Sequence, residues 1–205
     1  MSTPSHYFED MYRGQEDPWR LRERWYEQRK YALTLASLPR PRFRRAFEPA
    51  CSVGQLTRLL APRCDRLIAA DRVASVVETA ARRTEDLDHV EVVRLTVPEE
   101  WPEGRFDLVV LSELLYYFDG ARLDELLSRT AGSLEPGGTL VTVHWNHPVP
   151  EHLSTGTLLA ERLAHEPGLL LRADHREEDF VLQTFSRALP DGTAPLSPAG
   201  FEGLV

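Results

Sequence analysis

Five apolar runs of strand length alternate along this chain with stretches whose apolar residues recur three and four apart, and that alternation leaves few folds open. The runs are RAFEP (45–49), RLIAAD (66–71), VEVVRL (90–95), FDLVVLS (106–112) and TLVTVHW (139–145). Several are continuously apolar, as strands covered on both faces are. Between them QLTRLLA, ASVVETAARR and LDELLSRTAGSL carry helical spacing. Strands and helices in this order build an α/β fold, a mostly parallel sheet with helices on both faces. The last of these helices runs into Glu135-Pro136-Gly137-Gly138, which reads as a helix stop and a turn before the fifth strand. Past Pro150, LSTGTLLAERLA reads as a further helix. GLLLRADHREEDFVLQTFSR reads as a hairpin turning near Arg176 and Glu177. The hairpin makes one strand antiparallel and brings the count to seven.

At 205 residues the chain is long enough for one domain with a full core. We expect a helical cap or lid over 1–45, the sheet domain over 46–188 and an irregular, proline- and glycine-rich tail over 189–205. Net charge is −8, yet residues 1–45 hold ten basic and six acidic side chains, so the body is strongly acidic. Such a body disfavours nucleic acid, which needs a contiguous basic surface. The basic stretch Arg22–Lys30 and the PRPRFRR run read as a solvated helix face and a linker. No stretch approaches the roughly 18 apolar residues of a membrane span. MSTPSHYFEDM has no apolar leader region, and the two cysteines have no CxxC spacing. The expectation is a cytoplasmic protein with no membrane partner and no structural metal.

In an open parallel sheet the ligand lies outside the carboxyl ends of the strands. The first two such ends are Glu48 and Asp71, joined through Pro49-Ala50-Cys51-Ser52-Val53-Gly54. An acid closing the second strand suits a ribose, whose two hydroxyls one carboxylate can accept. The turn has neither the G-x-G-x-x-G of a dinucleotide site nor the lysine of a triphosphate loop, and a pyrophosphate beside Glu48 and Asp71 would be repelled. An adenosine ligand without phosphate, S-adenosylmethionine, fits a looser turn with one glycine, its amino and carboxylate groups meeting turn backbone and a helix N-terminus. Glu48 would then face a cation.

The resemblance becomes specific over DPW (17–19), WYEQRKYALTLASLP (25–39), FEPACSVGQLT (47–57), VPEEWPEGRFDLVVLSELLYYF (97–118), EPGGTLVTVHW (135–145) and HREEDFVLQTFSR (175–187). In these segments the chain resembles a class I S-adenosylmethionine-dependent methyltransferase of the nodulation protein S group, which N-methylates amino-sugar oligosaccharides. The resemblance implies a Rossmann-like seven-stranded sheet and a small-molecule or oligosaccharide acceptor. It also implies a cofactor held by Glu48, Ala50, Cys51, Ser52, Gly54, Asp71, Arg72, Thr96, Val97 and Ser112, with Trp19 and Tyr26 closing from the cap. Two positions depart from the family pattern, Ala50 where glycine is usual and Thr96 near where an acid holds the adenine amino group.

Methyl transfer asks the protein chiefly to position donor and acceptor, and an amine must lose its proton before it attacks. Glu113, Tyr117 and His144 lie at the ends of the fourth and fifth strands and are the candidate catalytic residues, with Tyr116 and Trp145 beside them. For Glu113 the bland alternative is a surface acid, for His144 a structural hydrogen bond, and for His144 with His147 the weak H-x-x-H suggestion of a metal. The aromatic-rich N-terminus is either a packed cap or a lid over the cofactor. Two other functions stay open here, a non-catalytic binding module on the same fold and a nicotinamide-dependent oxidoreductase.

Overall fold

A computed structural model describes Thr3 and residues 5–205; Met1, Ser2 and Pro4, part of the expected cap, lie outside the described residues. Seven strands, β1 (Ala46–Pro49), β2 (Leu67–Asp71), β3 (Val90–Arg94), β4 (Phe106–Ser112), β5 (Leu134–Trp145), β6 (Leu169–Arg176) and β7 (Phe180–Arg187), form one sheet in the order β3-β2-β1-β4-β5-β7-β6. All neighbours pair in parallel except β7, which runs antiparallel to both β5 and β6. The order reverses between β1 and β4, so their carboxyl ends open a crevice.

Alternation within β4 explains why its run is apolar throughout. Val109 and Leu111 join one buried cluster with Phe47, Leu140 and Phe185, beneath Leu126 and Leu127 of α5 (Gly120–Ser133) and Leu159 and Leu163 of α6 (Gly156–Leu163). Leu108 and Val110 join the opposite cluster with Ala46, Leu67, Val141 and Val143, under Tyr31 of α2 (Trp25–Ala36) and Leu56 and Leu60 of α3 (Gln55–Leu60). Each such leucine contributes about 1.5–3 kcal/mol by leaving water. Helix α4 (Ala74–Arg83) packs Ala80 on Ala69 and Val92. The buried Asp107 carboxylate accepts from the Arg44 and Arg45 amides, both at 2.9 Å, which fixes where β1 begins beside β4.

Glu135-Pro136-Gly137-Gly138 departs from the expected turn outside the sheet. The segment is drawn into β5, where Leu134 pairs with Phe106 and the ladder resumes with Thr139 opposite Leu108 after a register shift. Gly137 stands at φ 74, and a Cβ on Gly138 would lie 2.8 Å from the Glu135 carbonyl oxygen and 3.2 Å from that of Phe106. A bulge this tight forms only where glycine removes the side chain. The tail also departs from expectation by one turn of helix, α7 (Pro198–Phe201), whose Ser197 hydroxyl caps the Gly200 amide at 3.1 Å. Arg40 stacks on Phe201 at 5.1 Å and ties the tail to the segment after α2.

Crowding at the bulge makes Gly138→Ala destabilising by about 1–3 kcal/mol, the usual range for an overpacked site. Urea denaturation reads this as a lower midpoint at unchanged slope.

Candidate functional site

Three residues of the turn after β1 adopt left-handed backbone, Ala50 at φ 58, Ser52 at φ 49 and Gly54 at φ 74. Only the last is glycine, and a Cβ there would come within 3.0 Å of Ala80, so this glycine lets the start of α3 lie against α4. Asp71 ties the turn to β2. Its Oδ2 accepts from the Ser52 amide at 3.1 Å and its Oδ1 from the Val73 amide at 3.0 Å. An ionised carboxylate has about four acceptor positions, so lone pairs remain for a ligand. Burial raises the Asp71 pKa, and the amides of Val73, Ser52 and Arg72 oppose that rise.

Glu48 differs from the anion expected of it. The carboxyl is buried, its Oε2 has no hydrogen-bond partner, and burial pushes it up to about 8, only partly offset by the Thr57 hydroxyl. It is therefore mostly neutral at pH 7, and a cation arriving beside it would restore the charge. Cys51 is likewise buried, its thiol pushed up by desolvation. The Thr96 amide donates to Glu100 Oε2 at 2.7 Å, and the Arg72 guanidinium lies 5.8 Å from the Phe8 ring.

The cap reaches this turn directly. Helix α1 (Ser5–Tyr12) ends with the Tyr12 hydroxyl 2.6 Å from Ser52 Oγ, and the Tyr12 ring meets Trp19 edge-on at 5.4 Å. Thr3 donates its amide to the Tyr117 carbonyl at 2.9 Å, and Phe8 packs edge-on against Tyr117 at 4.8 Å. Tyr26, from α2, lies edge-on to Trp145 at 5.6 Å.

Lys30 is 2 % exposed and donates to Glu113 Oε1 at 2.6 Å, with Glu27 Oε2 2.9 Å away. Glu113, itself at φ 53 just past β4, uses its other oxygen to accept from the Tyr116 hydroxyl at 2.5 Å and the Trp145 amide at 2.9 Å. Burial opposes ionisation of Glu113, but Lys30 and these donors outweigh it and hold the carboxyl below its ordinary value. Lys30 keeps its charge in the same way, against burial, because Glu113 and Glu27 flank it.

One cavity of about 870 Å³ joins the turn to this cluster, and Glu48, Asp71, Thr96, Ser112, Glu113 and Tyr117 all line it. The remaining expected cofactor residues that line it are Trp19, Tyr26, Ala50, Cys51, Ser52, Arg72 and Val97. The fold thus brings the turn with its two acids and a charged, aromatic end into one space.

The nodulation protein S family model matches residues 9–144. Nodulation protein S of Rhizobium tropici is 32% identical over 180 residues, which is 83% of this chain and 75% of that protein. The chain belongs to the nodulation protein S family. It is an S-adenosylmethionine-dependent methyltransferase. Among solved structures, a Pseudomonas syringae protein provisionally named a methyltransferase is 42% identical at a TM-score of 0.72, covering 80% of this chain and all of that one. The N-methyltransferase NodS of Bradyrhizobium japonicum WM9, in complex with S-adenosyl-L-homocysteine, shares the fold at a TM-score of 0.79 and 24% identity, covering 88% of this chain and 97% of that one.

Against the nodulation protein S resemblance, two sequence expectations need correction. His144 does not line the cavity: it is buried, its Nε2 accepts from the Leu115 amide at 3.1 Å, and desolvation drives it down to about 4. A neutral imidazole whose acceptor nitrogen is already engaged holds the turn after β4 in place and has no lone pair to offer an acceptor. His147 faces Asp179 instead, at 2.7 Å. The basic stretch Arg22–Lys30 is a solvated face only in part: Arg22 and Arg24 are exposed, whereas Arg29 forks onto Glu177 at 2.6 and 2.7 Å and Lys30 is interior. Sequence reasoning missed Lys30 and Glu27 as site residues, along with His152, which stacks on Tyr116 at 3.7 Å. The one available signal was the YEQRK spacing, which sets Glu27 and Lys30 three apart on one helix face.

Relief of left-handed strain at Ala50 makes Ala50→Gly stabilising by a few tenths to about 1 kcal/mol, after the greater unfolded-state freedom of glycine is counted; urea midpoints measure it. Lys30→Met leaves two buried carboxylates facing each other and should cost about 3–5 kcal/mol. Glu113 has a depressed folded pKa, so its share of stability is complete above the unfolded value of about 4.3 and is lost as pH falls through the folded one. A urea series across that window should show the acid loss in the wild type and a smaller one in Lys30→Met.

Proposed function

We propose that this enzyme N-methylates a primary amine on a polar, sugar-like small molecule or oligosaccharide. The observation that carries the reading is the single cavity with an acid-and-turn end suited to adenosine and a second end built from Lys30, Glu113, Tyr116, Tyr117 and Trp145. The unpartnered Glu48 Oε2 and the spare acceptor capacity of Asp71 are what an amino-acid cation and a ribose would satisfy. In this reading Asp71 receives the ribose hydroxyls, Ser52 and Cys51 offer turn backbone to the amino-acid part, and Thr96 and Val97 border the adenine. When bound, S-adenosylmethionine supplies a methyl carbon made electrophilic by its sulfonium. The chain's own contribution is to hold the acceptor and exclude water, with Tyr117 and Trp145 offering flat faces to a sugar ring and the cap covering the opening.

The N-methyltransferase named for the Bradyrhizobium japonicum relative supports an amine acceptor. A dinucleotide is disfavoured because the turn lacks the G-x-G-x-x-G glycines and its pyrophosphate would lie against the Asp71 carboxylate. Two buried, unbridged cysteines support a reducing, cytoplasmic setting, and no helix among the described residues is long and apolar enough to cross a membrane.

Radiolabelled methyl transfer to glucosamine oligomers, compared with their N-acetylated forms, catechols and carboxylates, tests the acceptor class. The free-amine oligomers should be methylated at nitrogen. Labelling only of oxygen acceptors overturns the proposal, and S-adenosylhomocysteine binding without turnover on any of them indicates a binding module. Asp71→Ala should weaken S-adenosylhomocysteine roughly ten- to a hundredfold, the worth of charge-assisted hydrogen bonds, as read by calorimetry. Unchanged affinity would remove Asp71 from the ribose.

A further inference from the structure

We infer that Glu27, on the cap helix α2, is the carboxylate that binds the acceptor's ammonium group and receives its proton, so that Glu113 serves to position rather than to accept. The inference rests on the proposed amine acceptor and adds the residue that recognises it.

The two acids of the cluster are not equivalent. Glu113 is the more fully engaged acid: Lys30 donates to one oxygen and the Tyr116 hydroxyl with the Trp145 amide to the other, which takes three of about four acceptor positions. Glu27 is open. It is 7 % exposed and lines the cavity, and its Oε2 lies 2.9 Å from Lys30 Nζ without receiving an aligned hydrogen bond. Lys30 directs its short bond, 2.6 Å, to Glu113 instead. Beside Glu27 the Tyr26 hydroxyl is also buried without a partner.

Charge counting gives the same answer. The buried part of the cluster sets two carboxylates against one ammonium, the other cation facing Glu27, Arg24, being exposed, so the interior is one positive charge short, and buried charge left unpaired is costly. A protonated amine entering the cavity supplies that charge. Transfer then balances simply: the N–H bond of the ammonium breaks, an O–H bond forms on Glu27, and the electron pair stays on nitrogen as the nucleophile's lone pair. A neutral amide such as an N-acetyl group supplies neither the charge nor the proton, which makes Glu27 a specificity determinant for free amines.

The groups facing Glu27 are Lys30 on its own helix, Arg24 just before that helix, Glu113 beyond β4, and the phenols of Tyr26, Tyr31 and Tyr116. Burial, ahead of the opposing pull of Lys30, holds the Glu27 carboxyl above its ordinary value. Amine binding should accordingly strengthen as pH rises through the Glu27 ionisation.

The experiment is calorimetric titration of a glucosamine tetramer and its fully N-acetylated counterpart into the protein saturated with S-adenosylhomocysteine, over a pH series, for wild type and Glu27→Gln. Wild type should prefer the free amine by at least about tenfold, with an acid limb. Glu27→Gln, whose fold is checked by unchanged S-adenosylhomocysteine affinity, should lose both. A preference and acid limb that survive in Glu27→Gln overturn this inference and leave the amine acceptor standing. Wild type that binds S-adenosylhomocysteine but shows no preference for the free amine overturns both. Should Glu27→Gln fail to bind S-adenosylhomocysteine, Glu27→Asp takes its place, and an undiminished free-amine preference with an unmoved acid limb there overturns the inference.

Discussion

Lys30 is charged and buried, and that combination requires a carboxylate within contact distance. Glu113 meets the requirement from the end of β4, Glu27 from one turn earlier on α2, and the pair binds the cap helix to the sheet. Because Glu113 is also fixed by Tyr116 and Trp145, one ion pair sets the relative positions of the cap, the turn after β4 and the end of β5. Those are walls of the end of the cavity proposed for the acceptor. A buried pair of this kind adds little net stability over apolar packing, but losing half of it is severe, so it specifies an arrangement more than it strengthens one.

The other end of the cavity depends on backbone geometry. Left-handed Ala50, Ser52 and Gly54 turn the chain sharply enough for the Ser52 amide to reach Asp71, and Cys51 bonds back to Ala70. Strain of this kind persists only where the surroundings fix it, and it gathers at ligand sites. Tyr12 reaching Ser52 brings the cap to the same turn. Each end therefore holds one part of the N-terminal segment, α1 at the turn and α2 at the carboxylates, which gives a physical basis for coupling cap position to occupancy.

Much of the site was legible in the chain. Strand ends gather at one edge whenever buried apolar runs alternate with helices, so Glu48, Asp71, Ser112 and Glu113 had to share a crevice, and the glycine-poor turn already disfavoured phosphate ligands. His144 was misread for a geometrical reason. Being at a strand's end places a residue at the active edge but does not say which face its side chain takes, and the neighbouring turn claimed its Nε2. Lys30 was misread because a basic run on a helix is ordinarily solvated, and only the docking of α2 turned that residue inward.

The sequence by itself determined the element order, the parallel sheet with its antiparallel seventh strand, and the chemistry of the turn, because periodicity and backbone preference are local properties of the chain. Tertiary structure alone decided which charges meet, that burial raises the Glu48 carboxyl while Lys30 lowers that of Glu113, and that Pro136 and the glycines beside it enter β5 as a bulge. Those outcomes depend on desolvation and on contacts between residues far apart in the chain, 83 positions for Lys30 and Glu113 and 148 for Arg29 and Glu177, and no local pattern encodes the distance between them.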